Sequence, residues 1–267
     1  MWLHRPGFAC TVKTAVPADR ALAFSQTFRV RYEECGPGGG ARASTYLRYL
    51  QDLAFAHSAA LGYPLSWYET HRLFWLMRRV HLVVYSGARY GEDLLCTTQV
   101  LGMRRVLARR RNTVRRADGT PAAEAVADWI FTHDGAALAR VPDDFAAAFP
   151  SLEEALVPSS LAERPAPTHA VWESVRIRAS DADAMGHANH TVYLDLLDDA
   201  ITRAGGAEAV AGHPRAYGLQ YHAPAAAGAV LRDVTWREAG VWWYRLETTE
   251  GRLIVHGRLV PSRDFSG

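Results

Sequence analysis

The chain has 267 residues, of which 49% are hydrophobic and 22% charged, with a net charge of +2. That is the composition of a globular protein large enough for one big core or two ordinary ones. It excludes a molecule that binds nucleic acid or another polyanion over its whole surface, and any basic patch must be local. Cys10, Cys35 and Cys96 are scattered, odd in number and without metal-ligand spacing. They point to a reducing compartment, so the expected location is cytoplasmic and no metal or other cofactor is expected. The first twenty residues are broken by Pro6, Lys13 and Pro17 and hold no apolar signal-peptide core. No run approaches the ~20 apolar residues that span a bilayer, so no membrane association is expected.

In chain order, residues 1–23 read as an N-terminal arm. Residues 24–33 alternate as a strand, and a glycine-rich turn follows at 35–40. Tyr46, Leu47, Tyr49, Leu50, Leu53 and Ala54 fall at helical spacing, and the helix is expected to run to about Gly62. Strands are predicted near 74–85, 92–103, 105–116 and 123–133, with a turn at Asp118-Gly119. Residues 150–169 are proline-rich and read as a linker. The pattern then restarts with a strand at 171–178, a polar turn and a helix that Gly205-Gly206 should stop. Four strands follow, near 216–223, 229–237, 241–249 and 252–260. The expected domains are 24–149 and 170–267.

The two halves align without a gap at a shift of 147 residues. Arg29 then falls on Arg176, Gly39 on Gly186, Tyr46 on Tyr193, Leu50 on Leu197 and Asp52 on Asp199. The turns differ: Gly36, Gly40, Arg42 and Ala43 of the first copy stand opposite Asp183, His187, Asn189 and His190 of the second. A duplicated scaffold with one equipped turn is what two copies around a single working site would show. Loops favour Asp and Asn, but they do not usually gather two histidines as well.

The equipped turn resembles that of the hotdog-fold thioesterases. Their Asp, Gly three residues on and Tyr ten on are Asp183, Gly186 and Tyr193 here. A short-chain acyl-CoA branch has a His seven after the Asp, here His190. The two-domain acyl-ACP thioesterases carry Asp-x-Asn-x-His-Val-Asn-Asn, and that register gives Asp183, Met185, His187 and Asn189. Met185 replaces the family Asn, and the acidic and cysteine residues of the next strand fall near Pro224 and Ala225. In the first half, Tyr32-Glu33, the LQDLAFAH run at 50–57, Gly62, the strand from Trp75 to Tyr85, Arg109-Arg110 and the Trp129 strand have counterparts in the acyl-ACP enzymes. The resemblance implies an α+β fold, a tandem double hotdog, each unit an antiparallel sheet wrapped around a long central helix, with a tunnel between the units. It implies a thioester hydrolase acting on acyl-ACP or acyl-CoA, as a monomeric pseudo-dimer or a homodimer.

In chemical terms, hydrolysis needs a polarised carbonyl, an activated water or nucleophile, and a slot for the acyl chain. Asp183 is the expected general base or nucleophile. His187, Asn189 and His190 are expected to orient water or the carboxylate. Backbone N–H groups from Gly186 to Asn189, at a helix N-terminus, would polarise the thioester oxygen, and Gly186 would let it approach. Tyr193 is expected beside the substrate. Arg109 and Arg111, in the run RRVLARRRNTVRR, can offer a basic face to an acidic carrier protein or to CoA phosphates. The rivals are a hydratase or dehydratase on the same fold and a non-catalytic acyl-binding or polyketide-tailoring protein. The hydratase pattern has a Pro and a His five after the Asp, whereas the offsets here are four and seven. No G-x-S-x-G or G-x-G-x-x-G supports an α/β-hydrolase or a nucleotide fold.

Overall fold

The computed structural model describes residues 22–135, 137–152 and 161–261. The expected arm therefore lies almost wholly outside the described residues, as does most of the first half of the expected linker.

The first half runs β1 (Ala23–Arg29), α1 (Ala43–Ala60), α2 (Leu65–His71), β2 (Leu73–Val84), β3 (Asp93–Arg104), β4 (Leu107–Arg116), β5 (Pro121–His133), β6 (Ala137–Leu138) and α3 (Asp143–Ala146). The second runs β7 (Val171–Arg176), α4 (Val192–Ile201), α5 (Ala207–Ala211), β8 (Arg215–Tyr221), β9 (Val230–Glu238), β10 (Val241–Thr248) and β11 (Leu253–Pro261). All the long strands join one antiparallel sheet in the order β1-β3-β4-β5-β2-β8-β11-β10-β9-β7. The two halves of that order are mirror images. They meet where β2 pairs with β8, from Arg79↔Gln220 to Val84↔Arg215. The fold is the α+β tandem hotdog the sequence implied, with the sheet continuous from one half into the other.

The strands form because alternate residues, mostly apolar, turn toward the helices, as in β3, where Leu94, Cys96 and Val100 are buried; in β4 the inward set is Ala108, Arg110, Asn112 and Val114. α1 lies against the sheet with Tyr46, Leu47, Leu50 and Leu53 buried. α4 does the same with Tyr193, Leu194, Leu197 and Ile201. A single apolar core runs through both halves, and a second cluster of Tyr63, Tyr68, Met103, Phe131 and Phe145 sits under α2 and α3.

The duplication extends to individual backbone hydrogen bonds. Gly36 N–H to Gly40 O, Arg42 N–H to Glu34 O and Thr45 N–H to Arg42 O recur, at the same shift of 147 residues, as Asp183 to His187, Asn189 to Asp181 and Val192 to Asn189. Gly39 and Gly186 hold φ of 74° and 77°. The Tyr46 hydroxyl accepts the Ala88 N–H, and the Tyr193 hydroxyl accepts that of Ala225.

Two features differ from the sequence expectation. The short α2, α3 and β6 were not anticipated, because two to seven residues offer too little periodicity; Pro64 and Pro142 at the N-caps of the two helices were the available signals. Gly205-Gly206 does not stop the α4 segment. The chain loosens into a π turn over Thr202–Gly206, with Gly205 at φ 89°, and resumes as α5. Gly206 is needed for packing, since a Cβ there would lie 2.6 Å from the Trp242 ring.

Candidate active site

The equipped turn begins with a one-turn 3-10 helix, Ala179–Asp181, in which the Asp181 carboxylate accepts the Arg178 backbone N–H and also pairs with its guanidinium. Asp181 is therefore a structural carboxylate, and Glu34 accepts the Arg31 N–H in the same way in the first copy. Asp183 comes next. Its Oδ1 accepts the Met185 N–H at 2.9 Å, an Asx turn that fixes the side chain. Its Oδ2 has no partner among the described residues. Asp183 lines an open crevice whose other walls include Asn189, Asp195 and, from α1, Arg48, Gln51 and Phe55. The crevice thus lies between the halves, with the carboxylate on one side and the helix of the other copy opposite.

Asn189 bridges the two sides. Its Oδ1 accepts both the N–H and the hydroxyl of Thr191, at 3.0 and 2.9 Å. The Nδ2 must then be the donor, and it reaches Gln51 Oε1 at 3.0 Å. Gln51 is therefore oriented with its Nε2 hydrogens as free donors at the crevice wall; no acceptor meets them among the described residues. Across the same junction, Arg48 pairs with Asp195, which also accepts from Ser44. Residues 48 and 195 are equivalent under the internal repeat, so the pair sits where the two copies face each other, one cationic and one anionic.

Against Gln51 and Phe55 lies a small, mostly apolar cavity. It is walled by α1, α2 and the inner faces of β2, β4 and β5, with Trp75, Met103 and Trp129 among its lining, and Met185 of the equipped turn borders it. Crevice and cavity share Gln51 and Phe55. A polar crevice thus adjoins an apolar cavity across Gln51 and Phe55, and residues of both halves line each.

The remaining expected residues fall out differently. His190 is not part of the crevice wall: its ring lies edge-on to Trp129 and Tyr221 at centroid distances of 5.5 and 6.2 Å. Its Nε2 is enclosed without a partner, and burial, aided by Arg48, lowers its pKa to about 3. It is a neutral imidazole at any ordinary pH. His187 is half-buried beside Ala226, also away from the crevice walls. Tyr193 is a buried anchor holding the loop at Ala225, a task Tyr46 performs in the unequipped copy, and it is not among the residues lining the crevice. Gly186 holds a positive φ and meets open space, with no protein atom, where a Cβ would stand.

The N–H groups expected to polarise the thioester are also largely occupied. Gly186 donates to Asp183 O, Ala188 to Ala225 O and Asn189 to Asp181 O. Among the described residues, the N–H groups of His187 and His190 meet no acceptor. Arg109 and Arg111 point away from Arg110 onto the outer face of the sheet, where they pair with Asp128 and Glu124. The structure therefore brings Asp183 and Asn189 together and separates them from the arginine pair. Sequence reasoning missed Gln51. The available signal was a lone amide on a helix whose other face is apolar, pointing nowhere until its partner was placed.

Comparison with known proteins agrees with this architecture. Residues 21–149 match the family model of the acyl-ACP thioesterase N-terminal domain. No curated protein matches the sequence. Among solved structures, an oleoyl thioesterase from Lactobacillus plantarum superposes with a TM-score of 0.78 at 17% identity, over 90% of this chain and 95% of that one. An acyl-ACP thioesterase from Bacteroides thetaiotaomicron gives 0.76 at 13%, over 92% and 99%, and the 12:0-ACP thioesterase of Umbellularia californica gives 0.73 at 18%, over 89% and 96%. The first half of the chain matches the acyl-ACP thioesterase N-terminal domain, and the whole has the same double-hotdog fold as these three structures.

Proposed function

We propose that the protein hydrolyses an acyl thioester, with acyl-ACP as the carrier-bound substrate, in a single site built from residues 24–149 and 170–267 as two units. The observation that carries this is the shared wall of polar crevice and apolar cavity at Gln51 and Phe55, with a half-free carboxylate, Asp183, on the crevice side. The acyl chain enters the cavity and its carbonyl stops at the crevice. Gln51 Nε2 donates to the carbonyl oxygen. Asp183 Oδ2 takes a proton from water as the water oxygen bonds to the carbonyl carbon. The tetrahedral oxyanion collapses, the C–S bond breaks, and the proton passes to the leaving sulfur. Asn189 positions Gln51 and does not itself touch substrate.

The site's polarity supports base catalysis over direct attack by Asp183, because one oxygen is tied into the Asx turn and the crevice is open to water. The hydratase reading needs a His that can exchange a proton near the carboxylate. His190 is held neutral and lies off the crevice, which favours hydrolysis. The test is thiol release from matched acyl-ACP and acyl-CoA substrates. Release of free thiol, fastest from acyl-ACP, is expected; loss of enoyl absorbance without thiol release would support the hydratase instead.

A further inference from the structure

The outer face of the sheet carries a second hollow, on the side away from the helices and the crevice. It lies over the seam where β2 pairs with β8, and Arg79, His81, Arg109, Gly218, Arg258 and Leu161 are among its lining. Its floor is Gly218, which pairs with His81 across the seam. A Cβ at Gly218 would stand 3.7 Å from Arg258 and from Leu161, an ordinary contact, so packing does not demand glycine there. A glycine inside a strand gives up stability and often marks a place where a ligand comes close to the backbone. One rim is Leu161, held from both sides. Its N–H donates to the Gln220 side-chain oxygen at 3.0 Å, and its carbonyl accepts from His256 Nε2 at 3.1 Å. Arg245 fastens the residues beyond it through Glu163 and the Arg164 carbonyl. The hollow is therefore preformed.

Its lining holds three guanidinium groups and one carboxylate. That carboxylate, Asp128, is shared by Arg79 at 3.2 Å and Arg109 at 3.6 Å. Those two arginine side chains are only 20% and 18% exposed, so water screens their charges little. Arg258 comes from the other half. Its guanidinium lies 6.0 Å from the centre of the Trp243 ring, and it meets no carboxylate among the described residues. Arg79 and Arg258 stand on β2 and β11, with β8 and its bare Gly218 between them. Two strand spacings separate those backbones by roughly 10 Å. Cations thus flank the glycine floor from two sides, an arrangement for an anion with two charged groups in tandem.

We propose that this hollow binds a diphosphate, with Arg79 and Arg109 of the first half on one phosphoryl group and Arg258 of the second half on the other. The guanidinium fork matches phosphate oxygens bidentately. A ligand held in this way ties the two halves together across β2 and β8, behind the helices that form the crevice. It is a site for a second ligand and not for the thioester.

The test uses the full chain in magnesium-free buffer, with isothermal titration and melting curves. Inorganic pyrophosphate should bind at one site per chain and raise the melting temperature, as a ligand of the folded state does. Inorganic phosphate, which can reach only one side, should bind about tenfold more weakly. Gly218→Val fills the floor without changing charge, and Arg258→Gln removes a charge without filling the floor. Each should weaken pyrophosphate binding about tenfold, and if one fails to fold the other decides. Arg111→Gln, on the same face but outside the hollow, should bind as the wild type does. No pyrophosphate binding, equal affinity for phosphate, an equal loss in Arg111→Gln, or wild-type affinity in the folded hollow variants overturns the proposal. ADP and coenzyme A, titrated in the same way, separate the sources of the diphosphate: the tighter of the two names the class, and binding of pyrophosphate alone names the free ion. Failure here leaves the hydrolase reading standing, and absence of thiol release leaves this site standing.

Discussion

Asn189→Ala is the perturbation that most sharply separates positioning from contact. Asn189 makes three hydrogen bonds, two to Thr191 and one to Gln51. Each is worth about 1 kcal/mol net, and the half-buried setting reduces the total to about 2 kcal/mol. In a chain of this size that lowers the melting temperature by about 5 °C. The kinetic effect has another origin. Gln51 loses the partner that fixes which end of its amide faces the crevice, so the carbonyl loses a preorganised donor for part of the time. A fall of about tenfold in kcat/KM is expected from this loss of alignment. Removing the donor outright in Gln51→Ala should cost about 10²-fold, in the range seen for single oxyanion donors. The double variant should then be no slower than Gln51→Ala alone, because Asn189 acts only through Gln51. That corresponds to a coupling of about 1.4 kcal/mol in a double-mutant cycle. The assay is steady-state thiol release from one acyl-ACP substrate for the four proteins, with melting curves on each. A double variant about 10³-fold slower than wild type, the product of the two single effects, would refute the relay from Asn189 through Gln51 and mean that Asn189 meets substrate itself.

Tyr193→Phe and Tyr46→Phe each leave a backbone N–H, of Ala225 or Ala88, without its acceptor, and each should cost about 1–2 kcal/mol by thermal melting while kcat/KM stays within about threefold. A hundredfold loss in Tyr193→Phe alone would return that residue to the substrate. Asp195→Arg should destabilise the junction by about 1 kcal/mol by facing Arg48 with a like charge, and the swap Arg48→Asp with Asp195→Arg should recover it; no recovery would show that the pair adds nothing. His190 titrates near 6.5 when unfolded and at about 3 when folded, so between those values the unfolded chain binds the extra proton and stability falls as pH drops. The slope from this one group is at most about 1.4 kcal/mol per pH unit, and His190→Phe should flatten the acid limb of a stability-versus-pH curve. An unchanged acid limb would place His190 in water. Arg111→Glu, on the outer sheet face, should change KM for carrier-bound substrate by less than twofold; a tenfold rise would make that face the docking surface after all.

Much of this molecule is legible in its sequence because it is written twice. The long strands alternate and the two long helices carry clean apolar faces, so local periodicity placed their boundaries close to those observed. The shift of 147 residues predicted matching elements, and the structure carries the match down to hydrogen bonds such as Arg42 to Glu34 and Asn189 to Asp181. Asp183 could be singled out because the other copy has Gly36 at that place. What could not be read is whatever depends on contact between distant residues. Gln51 and Asn189 are 138 positions apart and nothing local couples them. His190 looks like a catalytic histidine in a turn, but Trp129 from the other half closes over it.

The central claim is that Asp183 activates water for thioester cleavage, and Asp183→Asn tests it most directly. The amide keeps the size of the side chain and can keep the turn through its oxygen to Met185 N–H, but it cannot accept the proton. Thiol release from acyl-ACP should fall at least about 10³-fold with the melting temperature within about 2 °C of wild type. A folded variant that retains more than a tenth of wild-type kcat/KM would contradict the account.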